Sequence, residues 1–199
     1  AGLVALIEAL GLFYGMTRVS QLWGFWRMSN QPRVSTNLPK TGNVVRDSAL
    51  GLVTETVDPY LRFNHAIWHN GPLTAAEVEL ARLRNARKVN CVFCKAVRYD
   101  IAIEAGLDEA KVEQITDDFD QSELSQREKL ILAYTDYYLQ QPTAMTTEFK
   151  QRLTEEFSAA EIVHLSLAIM LCNCFSRCAV SLGGMPEEDL PRMQISVPE

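Results

Sequence analysis

Several things are missing from this chain, and each absence narrows what it can be. There is no cluster of lysine and arginine, and the net charge is −6 with a pI near 5.2. That balance argues against nucleic acid and against anionic membrane as partners, and leaves a small neutral substrate or another protein. No run alternates apolar and polar residues as a strand does, so the expected fold class is all-α. The five cysteines are an odd number and are not spread through loops as a secreted disulfide framework would be, which fits a reducing, cytoplasmic setting. The apolar stretch from Gly2 to Tyr14 is too short to span a bilayer, carries Glu8 in its middle and lacks the positive flank of a signal peptide. It reads as a buried or interface helix. Histidine is nearly absent too, with only His65, His69 and His164 in 199 residues.

What is present is ordinary for a globular protein: 47% apolar and 22% charged residues, enough to bury a core without staples. Residues 1–45 read as an N-terminal helical extension and linker, with a helix over 3–28 and Pro32, Pro39 and Gly42 marking the linker. Residues 46–199 read as one helical domain. Its punctuation predicts helices throughout. A weak helix is expected over 44–57. Asp58-Pro59 opens another that Gly71-Pro72 stops, and Thr74 with Glu77 forms a capping box for a helix reaching about Lys88. Asn90 is placed to cap a continuous helix holding Cys91, Cys94, Val97 and Ile101 up to Gly106. Ser125 with Glu128 and Ser158 with Glu161 form two further boxes, separated by a short helix capped by Thr146 or Thr147. The last helix, from Ser158 to Gly183, is apolar almost all round and is expected to be central or at a subunit interface.

The chemistry-bearing feature is Cys91 and Cys94 at the start of a helix. Unpaired N–H groups and the partial positive charge of a helix N-terminus favour a thiolate, and residues three apart on a helix lie near enough for a bridge to close. A free thiol titrates near about 8.5, so a modest downward shift turns an inert cysteine into a nucleophile. One Cys-x-x-Cys supplies only two of the four ligands that structural zinc takes, so no metal and no bound cofactor is expected, and inert packing is the other alternative. A base is also needed. On spacing alone Glu79 is an exposed residue of an amphipathic helix, and contact with the cysteines would need a bent or crossing geometry. His164 reads as a hydrogen-bonded core residue, and Cys172, Cys174 and Cys178 read as small buried hydrophobes.

The segment from Glu79 through Cys91 and Cys94 to Leu107 resembles the core of the carboxymuconolactone decarboxylase superfamily, and more narrowly its AhpD-like alkylhydroperoxidase branch. Ser125–Glu128 and Phe157–Ile162 extend the similarity over about residues 57–184. That family sets a glutamate twelve residues before the first cysteine, matched by Glu79, and a histidine four after the second, where this chain has Arg98. The resemblance implies an AhpD-like helical bundle in which Cys94 attacks a hydroperoxide, Cys91 resolves the sulfenic acid, and Glu79 drives a proton relay. Arginine stays protonated and cannot shuttle a proton, so Glu79 would act through water, or Arg98 would pair with Glu79. The resemblance also implies a dithiol or protein reductant, such as a peroxiredoxin partner, and a trimer or hexamer. Two other functions fit the residues: decarboxylation of a carboxylated lactone, with Arg98 as the carboxylate anchor, and a non-catalytic helical module whose thiols sense oxidants.

Overall fold

The computed structural model describes Val34, Leu38 and residues 40–182 and 185–199. The expectations for the N-terminal extension, including the helix over 3–28, lie outside these residues. The described part is built from α1 (Thr54–His69), α2 (Ala75–Val89), α3 (Val92–Ala96), β1 (Val97–Tyr99), α4 (Asp100–Glu104), α5 (Glu109–Glu113), α6 (Gln126–Gln140), α7 (Thr147–Glu156), α8 (Ala159–Leu182) and β2 (Met193–Ile195), with short 3-10 turns between.

The capping signals do what their side chains dictate. Thr74 and Glu77 close a reciprocal box on α2, as Ser125 and Glu128 do on α6. Thr146 caps α7, and Ser158 accepts from the Glu161 N–H while Glu161 accepts from the Ser158 N–H at the start of α8. Gly106, at φ +94°, makes the left-handed turn that ends α4. Gly71 is fixed by a neighbour instead: a Cβ there would stand 1.9 Å from the His164 ring. His164 is the core residue expected of it, with Nε2 3.0 Å from the Ile67 carbonyl and Nδ1 accepting from the Leu73 N–H at 3.3 Å.

Helix α2 is the centre of the fold, packed chiefly against α8 and α6. Val78, Leu80, Ala81 and Leu83 meet Leu130, Ile131, Leu132, Leu165 and Ile169 in one core. Every residue of α2 from Val78 to Ala86 is buried, including Glu79, Arg82, Arg84 and Asn85. This corrects the amphipathic reading of that helix. A helix with such residues can be buried all round when its charged groups are paired internally, as where Arg84 makes a bidentate pair with Asp136 at 2.5 and 2.8 Å. Helix α8, long and apolar enough by composition to cross a membrane, buries one face that includes Leu165, Ile169 and Cys172 and exposes Val163, Leu167 and Met170.

Two boundaries differ from the sequence expectation. Helix α1 begins at Thr54, so Pro59 lies inside it, and of the expected helix over 44–57 the part before Thr54 is a turn and a 3-10 stretch, Ala49–Leu52, while the rest is the first turn of α1. The continuous helix from Cys91 to Ala105 is also broken. Residues Val97–Tyr99 are extended and pair in parallel with Met193–Ile195, so two short strands exist where none was expected. The β-branched Val97 and aromatic Tyr99 suit that backbone, and their partner lies almost a hundred residues away, beyond what a local pattern can show.

Candidate active site

The site forms where α2, α3 and α8 meet. Asn90, in the left-handed conformation (φ 55°), closes α2 and turns the chain directly into α3, so Cys91 and not Asn90 is the N-cap of the cysteine helix. Cys91 and Cys94 are joined as a disulfide with Cα atoms 5.2 Å apart, and the Cys91 sulfur accepts from the Cys94 N–H at 3.2 Å. Cys91 is wholly buried, packed with Ala86 and Cys94. Cys94 borders a cavity of about 450 Å³. The two sulfurs are therefore unequal: Cys94 faces the cavity, and Cys91 lies behind it.

The cavity is mostly apolar. Tyr60, Trp68, Tyr99, Leu171, Cys172 and Phe175 line it, with Asn64, Arg82 and Ser176 as polar points, and Met193, Ile195 and Pro198 close one side. The C-terminal segment is held there by β2, by Asn64 donating to the Pro198 carbonyl at 2.9 Å, and by His65 against Glu199 at 3.0 Å. Trp68 and Tyr99 meet edge to face at 4.7 Å. Burial pushes the Tyr99 hydroxyl up to about 12 against the opposing Arg82 charge, and burial likewise pushes the Cys172 thiol up to about 12. Cys172 is thus a neutral wall residue at physiological pH.

Glu79 is completely buried, and both its oxygens are taken by Arg82, at 2.5 Å from Nε and 2.6 Å from Nη2. The expected exposed position is corrected: the carboxylate is accommodated in the core because a guanidinium one helical turn away neutralises it. Arg82 then donates to the Cys94 carbonyl at 2.8 Å and the Val97 carbonyl at 2.7 Å. Burial works against the Arg82 charge, and Glu79 more than restores it, so the group is held more firmly protonated than a free guanidinium. Glu79 and Arg82 together form a clamp on the end of the cysteine helix, satisfying carbonyls that its early termination leaves without helical partners. Sequence reasoning missed Arg82. Its signal was the i, i+3 spacing from Glu79.

Arg98 is not part of that clamp. The expected Arg98–Glu79 pair is not formed, because the helix breaks before position 98 and the extended backbone of β1 carries the side chain elsewhere. Its guanidinium meets Glu109 at 2.9 and 3.3 Å and the Lys95 and Val97 carbonyls at 2.7 and 2.8 Å. The remaining polar contact at the disulfide is one that sequence reasoning did not single out: Ser176 of α8 donates to the Cys94 sulfur at 3.3 Å. A serine between Cys172 and Cys178 in an apolar helix was the only cue. Cys174 is exposed and Cys178 is half-buried at the cavity wall, contrary to the expectation that all three α8 cysteines are buried.

Among solved structures, the fold matches a protein of unknown function from Agrobacterium tumefaciens assigned to antioxidant defence as AhpD, with TM-score 0.59, 20% identity, and coverage of 79% of this chain and 100% of that one. It also matches the alkylhydroperoxidase AhpD core of an uncharacterized peroxidase-related protein from Ralstonia eutropha, with TM-score 0.63, 15% identity, and coverage of 79% and 93%. The chain has the AhpD-like fold. A third match is the debrominase Bmp8, solved as a cysteine-to-alanine variant in complex with a tribromopyrrole, with TM-score 0.58, 14% identity, and coverage of 69% and 74%. No family model matches the chain. Two uncharacterized proteins of Mycobacterium tuberculosis are 37% identical over 117 residues, covering 58% of this chain. The match spans only 39% of those curated relatives' length.

Proposed function

We propose that the protein is a dithiol peroxidase that reduces organic hydroperoxides at Cys94. The observation that carries this reading is the asymmetry of the Cys91–Cys94 pair, one sulfur on a mostly apolar cavity and the other buried behind it. The AhpD-like fold supports it. In the forward step the Cys94 thiolate attacks the terminal peroxide oxygen, the O–O bond breaks, and the alcohol leaves with a proton from the Cys91 thiol. Cys94 is then a sulfenic acid. Cys91, now a thiolate, attacks its sulfur, hydroxide leaves and takes a proton from solvent to become water, and the disulfide forms; an external dithiol or a dithiol protein, such as a peroxiredoxin-type partner, returns the two electrons by thiol exchange. Glu79 and Arg82 position the Cys94 backbone, and Arg98 anchors the following strand. In this reading the protein works in a reducing, cytoplasmic compartment as a homo-oligomer.

The direct test is steady-state consumption of cumene hydroperoxide with dihydrolipoate as reductant. Turnover is expected for the native protein and its abolition for Cys94→Ser and Cys91→Ser. Equal rates in the native protein and Cys94→Ser would overturn the reading.

A second reading has one observation in its favour. The cavity beside Cys94 is walled by the rings of Tyr60, Trp68, Tyr99 and Phe175, which suit a flat apolar ligand, and the fold is shared with a debrominase. Bromide release from a bromopyrrole in the presence of a dithiol, without peroxide turnover, would select it. Lactone decarboxylation gains nothing comparable, since among the described residues bordering the cavity Arg98 is not found.

A further inference from the structure

We propose that Ser176 is a catalytic residue, donating the hydrogen bond that holds the Cys94 sulfur as its reactive anion, and that Asn85 is the positioning residue that aims it. The proposal rests on Cys94 being the attacking sulfur.

Sequence reasoning gave the task of activating the thiol to the start of a long helix and to Glu79. The structure leaves both unsuited. The cysteine helix has only five residues, and its N-cap contact, the Cys94 N–H, goes to the Cys91 sulfur. Glu79 is taken up by Arg82, which reaches the carbonyl of Cys94 and not its sulfur. Among the described residues bordering the cavity there is no histidine.

Ser176 fills that gap. It is 2% exposed, and its Oγ lies 3.3 Å from the Cys94 sulfur as donor. Asn85, fully buried on α2, donates from Nδ2 to the same Oγ at 3.0 Å. An amide nitrogen has only protons to give, so it occupies a lone pair of the serine oxygen and leaves the serine proton for the sulfur. The other end of the amide is telling: Asn85 Oδ1 is buried without a hydrogen-bond partner among the described residues. The contact with Ser176 is therefore the side-chain hydrogen bond that fixes this amide among the described residues. Hydrogen bonds to a charged acceptor are roughly twice as strong as neutral ones, so the pair favours thiolate over thiol. Ser176 keeps its proton throughout; the proton for the departing alkoxide comes from Cys91.

The charged and titratable groups around Cys94 come from every neighbouring element: Glu79 and Arg82 on α2, Cys91 beside it, Tyr60 on α1, Tyr99 on β1, Cys172 and Cys178 on α8, and Asp47 at the cavity wall. All but Cys91 are retained in the test. It uses the full chain with Cys91→Ser, which puts an oxygen acceptor in place of the N-cap sulfur, and follows the rate of Cys94 alkylation against pH by mass spectrometry of its peptide. Adding Ser176→Ala is expected to raise the apparent pKa of Cys94 by about one unit, and so to slow alkylation at pH 7 about tenfold, with Asn85→Ala shifting it in the same direction. Ser176→Thr, which restores the hydroxyl, is expected to recover most of the shift. Unchanged profiles in Ser176→Ala, with helicity intact, would overturn the proposal. Because this titration needs no peroxide, a normal Ser176 dependence without hydroperoxide turnover would sink the peroxidase reading alone.

Discussion

Glu79 was half legible before the structure. Its spacing from Cys91 marked it, but its burial was not visible, because α2 looks amphipathic until Arg82, Arg84 and Asn85 are seen to find partners inside the fold. Since Arg82 is buried and, among the described residues, its charge is balanced by Glu79 alone, removing that charge is expensive. Glu79→Gln is expected to lower stability by about 3–5 kcal/mol in urea unfolding, the range for stranding one member of a buried pair. A loss below about 1 kcal/mol would mean that the pair is not closed in solution. Ser176 and Arg82 escaped sequence reasoning for a shared reason: what each one reaches, the Cys94 sulfur and the Cys94 carbonyl, lies on another element.

At the level of elements, the caps and stops were legible because they are written in residues within four positions of each other, as in Thr74 with Glu77 or Ser125 with Glu128. The break of the cysteine helix was not, because its cause is remote. Parallel pairing of Val97, Arg98 and Tyr99 with Met193, Gln194 and Ile195 takes the place of helical hydrogen bonds, and the arginines Arg82 and Arg98 satisfy the carbonyls at the break. The strand backbone should therefore depend on the distant segment. Deleting residues 193–199 is expected to raise amide exchange of the Val97–Tyr99 peptide at least tenfold while leaving α2 protected. Unchanged exchange there would show that the segment holds its extended form without its partner.

Over the whole molecule, the buried acidic groups that ring the cavity set a pH limit. Tyr99 and Cys172 are held neutral up to about 12 in the folded chain, against ordinary values of 10.0 and 9.0, and burial raises Tyr60 in the same direction. Above the unfolded values the unfolded chain has released protons that the folded one retains, so stability falls as pH rises. Their contribution is intact below about pH 9 and lost through about pH 12, an order of events set by linkage. Thermal unfolding followed from pH 8 to 11 is expected to show a falling Tm, less steep in Cys172→Ala than in the native chain. A flat profile would place these groups in water. The AhpD-like fold itself was legible from Glu79, Cys91 and Cys94 in their helical surround, whereas the cavity that sets the two sulfurs apart is assembled from both ends of the described chain.

The central claim is that Cys94 is oxidised by hydroperoxide and resolved by Cys91. The measurement that tests it most directly is a single-turnover reaction of the fully reduced protein with one equivalent of cumene hydroperoxide, quenched with acid and analysed by peptide mass spectrometry. The account predicts rapid loss of two hydrogens as a Cys91–Cys94 disulfide, and a sulfenic acid trapped at Cys94 alone when Cys91→Ser is used. Oxidation that begins at the exposed Cys174, or is no faster than that of free cysteine, would contradict it.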